Sequence, residues 1–200
     1  MKALLHPTYF PTIASFSLLA KEPCLLEVSD NYQKQTYRNR TYIYGANGKQ
    51  ILTVPILHTG GETGRQLYKD VRVDNQVAWQ KLHWKTLQTA YCTSPYFEYY
   101  EDKIVPIFTQ KHTFLLDLNL RTIEAVLDCL HIEVSWEQTT TYQPTYEGVT
   151  DYRYLTNAKA SYEVNQAPYY QIFSDKHGFI PNLSILDLLF HEGNRSMIND

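Results

Sequence analysis

Three observations predict an α/β fold for this chain, a single domain over residues 1–200 with a mixed, partly parallel sheet flanked by helices. Two short apolar runs near the start, residues 2–5 and 24–28, enclose a stretch of helical composition, which is the order of a βαβ unit with a parallel pair of strands. Further runs suited to strands follow at residues 37–44, 50–57 and 71–73. Residues 78–91 and 115–130 carry apolar side chains at helical spacing.

Each element has a local reason. The first run, Lys2 to Leu5, ends at His6-Pro7-Thr8-Tyr9-Phe10-Pro11, where two prolines forbid continuation of regular structure. Residues 12–20 read as a short helix, and the second apolar run is bounded by Pro23 and by Ser29-Asp30-Asn31. Parallel sheets carry ligands at the carboxyl ends of their strands, so the loops at 6–11 and 29–34 should share one rim. Asn47-Gly48 marks the turn before the run at 50–57. In helix 78–91, Trp79, Leu82, Thr86, Leu87 and Ala90 fall on one side, with Lys81, Lys85 and Gln88 opposite and His83 inside the apolar sector. Helix 115–130 places Leu116, Leu120, Ile123, Leu127 and Leu130 along its stripe, with Asn119 at its edge. Ser184 and Asp187 have the spacing of a helix cap before the run at 186–191, and Gly193 is a natural stop. Residues 59–64, Thr-Gly-Gly-Glu-Thr-Gly, are the best candidate for a mobile loop.

With 200 residues, 44% hydrophobic and 20% charged, the chain has the length for one full core. A net charge of −3 offers no general attraction to nucleic acid or anionic lipid, so no nucleic-acid partner is expected. Cys24, Cys92 and Cys129 are too few and too scattered for a disulfide framework, which suits a reducing cytoplasm. No stretch has the length and apolarity of a signal or membrane span, so no membrane insertion is expected. Seventeen tyrosines are the compositional oddity, many of them at 142–170; their apolar bodies and polar tips suit both packing and ligand walls.

The chemistry-bearing stretch is residues 32–43, which mixes cations with aromatics. Read as an extended strand, it places Lys34, Thr36, Arg38 and Arg40 on one face, a local anion site in which guanidiniums can grip phosphate in a planar, bidentate way. A solvated edge strand guarded by cations gives the same pattern. The seven histidines include no close metal-binding pair, and no paired cysteines occur, so neither a metal nor a cofactor is expected. Cys24 and Cys129 sit in apolar surroundings as small hydrophobes. His83 is the candidate general base, since an imidazole on a helix's inner face must find a partner or stay neutral; a core histidine bonded to a carbonyl is the alternative. Asp187 is explained by capping. No Walker loop or dinucleotide fingerprint follows the first strand.

Several spaced motifs in order carry a resemblance: His6-Pro7-Thr8-Tyr9-Phe10-Pro11, Tyr32-Gln33-Lys34 with Tyr37-Arg38-Asn39-Arg40, Leu52-Thr53-Val54-Pro55, Leu82-His83-Trp84-Lys85, and Pro181-Asn182-Leu183-Ser184 with Asp187 to Phe190. The chain resembles the WbqC-like family of bacterial proteins over nearly its whole length. It departs from the family pattern at His6, where glutamine is usual, at Ala14, where glycine is frequent, and at Tyr37, where tryptophan is usual. The resemblance implies a cytoplasmic enzyme of surface-polysaccharide, O-antigen-type biosynthesis that transfers an acyl or aminoacyl group to a nucleotide-linked sugar. The expected partner is a phosphate-bearing small molecule, a nucleotide-sugar or acyl donor. In that reading Lys34, Arg38 and Arg40 hold phosphate, Tyr9 and Asn39 orient the substrate, and His83 is the base. Two alternatives stand beside it: a non-catalytic module binding an anion or sugar, and a nucleotidyl-transferring α/β domain.

Overall fold

β1 (Lys2–Leu5) and β2 (Cys24–Leu26) pair in parallel, with Ala3 opposite Cys24 and Leu5 opposite Leu26. Between them runs α1 (Ile13–Lys21), capped by Thr12, whose hydroxyl accepts from the Ser15 amide. The predicted βαβ opening is therefore present in this computed structural model, which describes residues 1–57, 66–160, 164 and 166–194. The predicted loop at 59–64 and His58 lie outside the described residues.

Two strands far along the chain complete the sheet. β7 (Trp136–Gln138) joins β2, and β8 (Val149–Asp151) joins β1, both in parallel, giving the order β7-β2-β1-β8. β1 and β2 occupy the centre, and Ala3, Leu4 and Leu26 are sealed from solvent. The antiparallel pairings fall outside this sheet. β3 (Arg40–Gly45) and β4 (Gly48–Thr53) form a hairpin, and β5 (Ile56–Leu57) pairs β6 (Arg72–Val73). Gly48 closes the hairpin at φ 95°, a conformation that side chains resist. The predicted strand at 50–57 is broken at Val54-Pro55, because proline has no amide to donate to a ladder.

The helices pack together beyond the hairpin. α2 (Trp79–Tyr91), α3 (Phe97–Ile104), α4 (Pro106–Thr109) and α5 (Leu115–Leu130) contribute Trp79, Leu87, Phe97, Ile104, Leu118 and Ile123 to one core. α5 has the predicted bounds, and α2 begins one residue later than expected. The buried stripe of α2 is Trp79, His83, Leu87 and Ala90, whereas Leu82 is 63% exposed, contrary to the periodicity reading. Two short helices come last among the described residues, α6 (Ser174–His177) and α7 (Ile185–Glu192), the latter capped by Ser184 as expected.

Residues 32–39 depart most from expectation. The chain turns at Lys34-Gln35, with Gln35 at φ 62°, and becomes a strand only at Arg40. Thr36 Oγ1 donates to the Gln33 carbonyl at 2.9 Å, and the Tyr37 amide donates to the Thr156 carbonyl at 2.9 Å. The alternation that would set Lys34, Arg38 and Arg40 on one face is absent, because these local bonds replace a sheet ladder.

Candidate functional site

The strand order reverses beside β1. β1, β2 and β7 step outward on one side, and β8 returns to the other. In open parallel sheets this reversal opens a crevice at the carboxyl ends of the strands. A polar cleft of about 280 Å³ lies there. His6 comes directly after β1, Asp30 after β2, Tyr142 after β7, and Arg153 and Tyr154 after β8, with Arg38 closing the wall. The loops at 6–11 and 29–34 do share this rim, through His6, Asp30 and Gln33.

The loop after β1 is held firmly. Phe10, just before Pro11, sits at φ 41°, an unusual conformation for a bulky residue. Its carbonyl accepts from Thr41 Oγ1 at 3.0 Å and Ser184 Oγ at 3.2 Å, while its amide donates to Thr122 Oγ1 at 3.2 Å. Three elements thus fix Phe10 and with it the backbone beside Tyr9.

Arg38 is 1% exposed. Its Nη2 donates to Asp30 Oδ2 at 3.0 Å and packs against the His6 ring, 2.9 Å from Nε2 and 3.2 Å from Nδ1, and its guanidinium lies 5.3 Å from the Tyr68 ring centroid. Its Nε is buried without a partner, so the protein does not saturate this guanidinium. His6 Nδ1 lies 3.1 Å from the Glu27 carbonyl. Burial, and then the Arg38 charge, push the His6 imidazole well below its usual pKa.

Arg153 is the second cation. Its Nη2 meets Asp151 Oδ2 at 2.6 Å and its Nε meets Oδ1 at 3.0 Å, a forked ion pair, while the carbonyls of Gln143 and Pro144 take further hydrogens. Beneath the cleft, the Glu27 carboxylate is fully buried and accepts from the Ser29 amide at 2.9 Å, Thr139 Oγ1 at 2.7 Å and the Tyr146 hydroxyl at 2.8 Å. The tyrosine-rich stretch therefore divides between the cleft and packing. Tyr142 and Tyr154, 48% and 53% exposed, line the cleft, and Tyr146 ties down its floor.

Of the six site residues named from the sequence, the cleft is lined by Arg38. Lys34 is exposed in its turn, and Arg40 is half-buried with its Nε lacking a partner. Asn39 brackets Val54, donating from Nδ2 to its carbonyl at 3.0 Å while its own carbonyl accepts from the Val54 amide at 2.8 Å. Tyr9 is sealed, and its hydroxyl donates to His83 Nδ1 at 3.0 Å. His83 is 3% exposed, also bonds the Thr53 backbone, and is held by burial at a pKa of about 4. The Tyr9–His83 pair stands with Trp79, whose ring centroid lies 6.3 Å from Tyr9 and 5.3 Å from His83.

Asp187 requires a correction. Ser184 caps α7 alone, accepting from the Leu186 amide at 3.3 Å. The Asp187 carboxylate turns inward, fully buried, and accepts from the Tyr91 hydroxyl at 2.7 Å, the Tyr169 hydroxyl, and Gln171 Nε2 at 2.9 Å. Capping spacing is shared by any inward-facing residue of the first turn, so spacing alone does not identify the partner.

His6, Asp30 and Arg153 escaped the sequence reading as site residues. The rule that ligands sit past the carboxyl ends of parallel strands would have found His6 and Asp30, and Arg153 follows a strand too short to recognise.

Fold and site together define an α/β protein with a polar, charge-lined cleft at the reversal point of a parallel sheet. The chain belongs to the WbqC-like protein family, whose profile matches residues 6–166. It is also similar to a protein of Mycobacterium tuberculosis (strain ATCC 25618 / H37Rv) described as Uncharacterized protein Rv1507c. The two are 26% identical over 218 residues, covering 96% of this chain and 93% of the relative. No solved structure matches the chain. Among the described residues no helix is long and apolar enough to cross a membrane, and no three His, Cys, Asp or Glu side chains gather closely enough to hold a metal ion.

Proposed function

We propose that the cleft binds a phosphate-bearing small molecule, a nucleotide-linked sugar or an activated acyl donor, and that the protein serves acyl or aminoacyl transfer in cytoplasmic surface-polysaccharide biosynthesis. The observation carrying this reading is Arg38, a buried guanidinium on the carboxyl rim of a parallel sheet with donor capacity beyond its ion pair to Asp30. Tyr142 and Tyr154 offer exposed ring faces against which a sugar or base can lie.

A thermal-shift screen against UDP-glucose, UDP and acetyl-coenzyme A tests it, because a ligand that binds only the folded state raises the melting temperature. A shift seen with the natural chain and lost in Arg38→Gln is the expected result. An equal shift in a folded Arg38→Gln protein, or no shift with any of the three, overturns the reading.

Binding without chemistry is the second reading, favoured by the position of His83, whose partners are Tyr9 and the Thr53 backbone rather than cleft-lining groups. A ligand that binds through Arg38 with no transfer by the natural chain supports it, and turnover lost in His83→Gln overturns it.

A further inference from the structure

The two guanidiniums of the cleft differ in the hydrogens they have left to give. Each carries five. Arg153 directs four of them to its own protein: Nε meets Asp151 Oδ1 at 3.0 Å, Nη2 meets Asp151 Oδ2 and the Pro144 carbonyl, both at 2.6 Å, and Nη1 meets the Gln143 carbonyl at 2.9 Å. Nη1, which carries the fifth, stands 3.7 Å from the buried Glu27 carboxylate. Among the described residues Arg38 makes its polar contacts through Nη2 alone, to Asp30 Oδ2 and the His6 ring, and its Nε has no partner. Yet Arg38 is 1% exposed, so only a narrow face of it meets the cleft.

Charge limits the ligand as well. Three carboxylates, Asp30, Asp151 and Glu27, stand with the two guanidiniums. Burial holds the His6 imidazole well below its usual pKa, so it adds no positive charge at pH 7. The cleft therefore has no surplus of positive charge with which to meet a second phosphate. Its volume, about 280 Å³, lies at the small end of the range for ligand sites.

We propose that the cleft takes a ligand with a single phosphoryl group, seated on Arg38, and that Arg153 is a positioning residue that braces Tyr142 and is not a second phosphate ligand. This narrows the reading of the cleft as a phosphate site and rests on it. The Arg153 guanidinium lies 5.6 Å from the ring centroids of both Tyr142 and Tyr146, so the cation tied to Asp151 also backs the half-exposed tyrosine of the cleft wall. A sugar linked to a nucleoside monophosphate, or an acyl adenylate, has the matching chemistry: one phosphoryl charge beside a ring that can lie on Tyr142. The further phosphates of a nucleoside diphosphate find no free donor here.

Calorimetric titration of the full-length protein with uridine, UMP, UDP and UTP tests the phosphate count. UMP should bind at least about tenfold tighter than uridine, and UDP and UTP no more than about threefold tighter than UMP. A steeper climb along the series overturns the proposal, as does uridine binding as well as UMP. Arg153→Gln should weaken UMP and UDP by the same factor, Tyr142→Ala should weaken both in the same way, and the two losses should not add in the double variant. A loss confined to UDP in Arg153→Gln, or additive losses, overturns the bracing role. Should Arg153→Gln fail to fold, the series with the natural chain decides the phosphate count, and the arginine spectra decide the role of Arg153.

Those nitrogen-15 spectra, recorded with inorganic anions, separate this proposal from the functional reading. Phosphate and pyrophosphate should each move the Arg38 Nε signal and leave that of Arg153 in place, with pyrophosphate bound within about threefold of phosphate. Movement of the Arg153 signal, a stronger preference for pyrophosphate, or an Arg38 signal indifferent to both anions overturns the proposal. Anions behaving as expected while no nucleotide, UDP-glucose or acetyl-coenzyme A binds brings down the functional reading and leaves the single-phosphate site standing.

Discussion

Two buried polar clusters organise this molecule, and they use a carboxylate in opposite ways. Asp187 is sealed, and the groups that hydrogen-bond its carboxylate, Tyr91, Tyr169 and Gln171, are neutral donors drawn from α2 and from the chain before α7, with His191 Nδ1 3.8 Å away. Asp30 meets a guanidinium and an imidazole at the wall of a cleft, and one of its cluster, Arg38, keeps an unpartnered nitrogen. Saturation with neutral donors makes a fastener, whereas an unsaturated charged pair beside open space keeps donor capacity in reserve. Buried charge alone would not have told them apart.

The sharpest way to break this contrast is Asp187→Ala. Three donors lose their acceptor in a place water cannot reach, which should cost roughly 3 to 5 kcal/mol in urea unfolding, with UDP binding by the remaining folded protein unchanged. A loss under about 1 kcal/mol would deny Asp187 its fastening role.

Acid probes the buried histidines, His6 of the cleft among them. Burial depresses His6, His83 and His112 below their usual pKa of 6.5, so each binds a proton less readily folded than unfolded. Their contribution is whole above pH 6.5 and falls as pH drops below it. Melting followed from pH 7 to 5 should show this decline, and His6→Gln should make it shallower. An unchanged slope in that variant would place His6 outside the group of buried neutral histidines.

The smallest effect is expected from Tyr9→Phe. It leaves His83 Nδ1 without its donor at a cost of about 1 kcal/mol, with UDP affinity unchanged. A loss of affinity would extend the binding surface beyond the cleft to the Tyr9–His83 pair.

What was legible in the sequence was local. β1, α1, β2 and α5 announce themselves by apolar runs, caps and helical spacing within a few residues. β7 and β8 do not, because Trp136-Glu137-Gln138 and Val149-Thr150-Asp151 become strands through pairing with β2 and β1 rather than by composition. The cleft wall they carry was hidden with them. Arg38 was found through its cation-rich neighbourhood, although the backbone there is a turn stabilised by Thr36 and Tyr37 and not a strand. Asp187 was misread because spacing shows which turn a residue occupies and not what its carboxylate touches.

The placement of β7 and β8 also sets an order of events during synthesis. β1 and β2 leave the ribosome well before both neighbours of this pair, which arrive only with residues 136–151. The two central strands must wait for partners more than a hundred residues younger, and such long closures are slow. A nascent chain halted before Val149 holds His6, Asp30 and Arg38 but lacks the strand that brings Arg153 beside them. The complete cleft is thus a product of the last stage of folding, and only a chain that has closed its sheet presents Arg38 and Arg153 together.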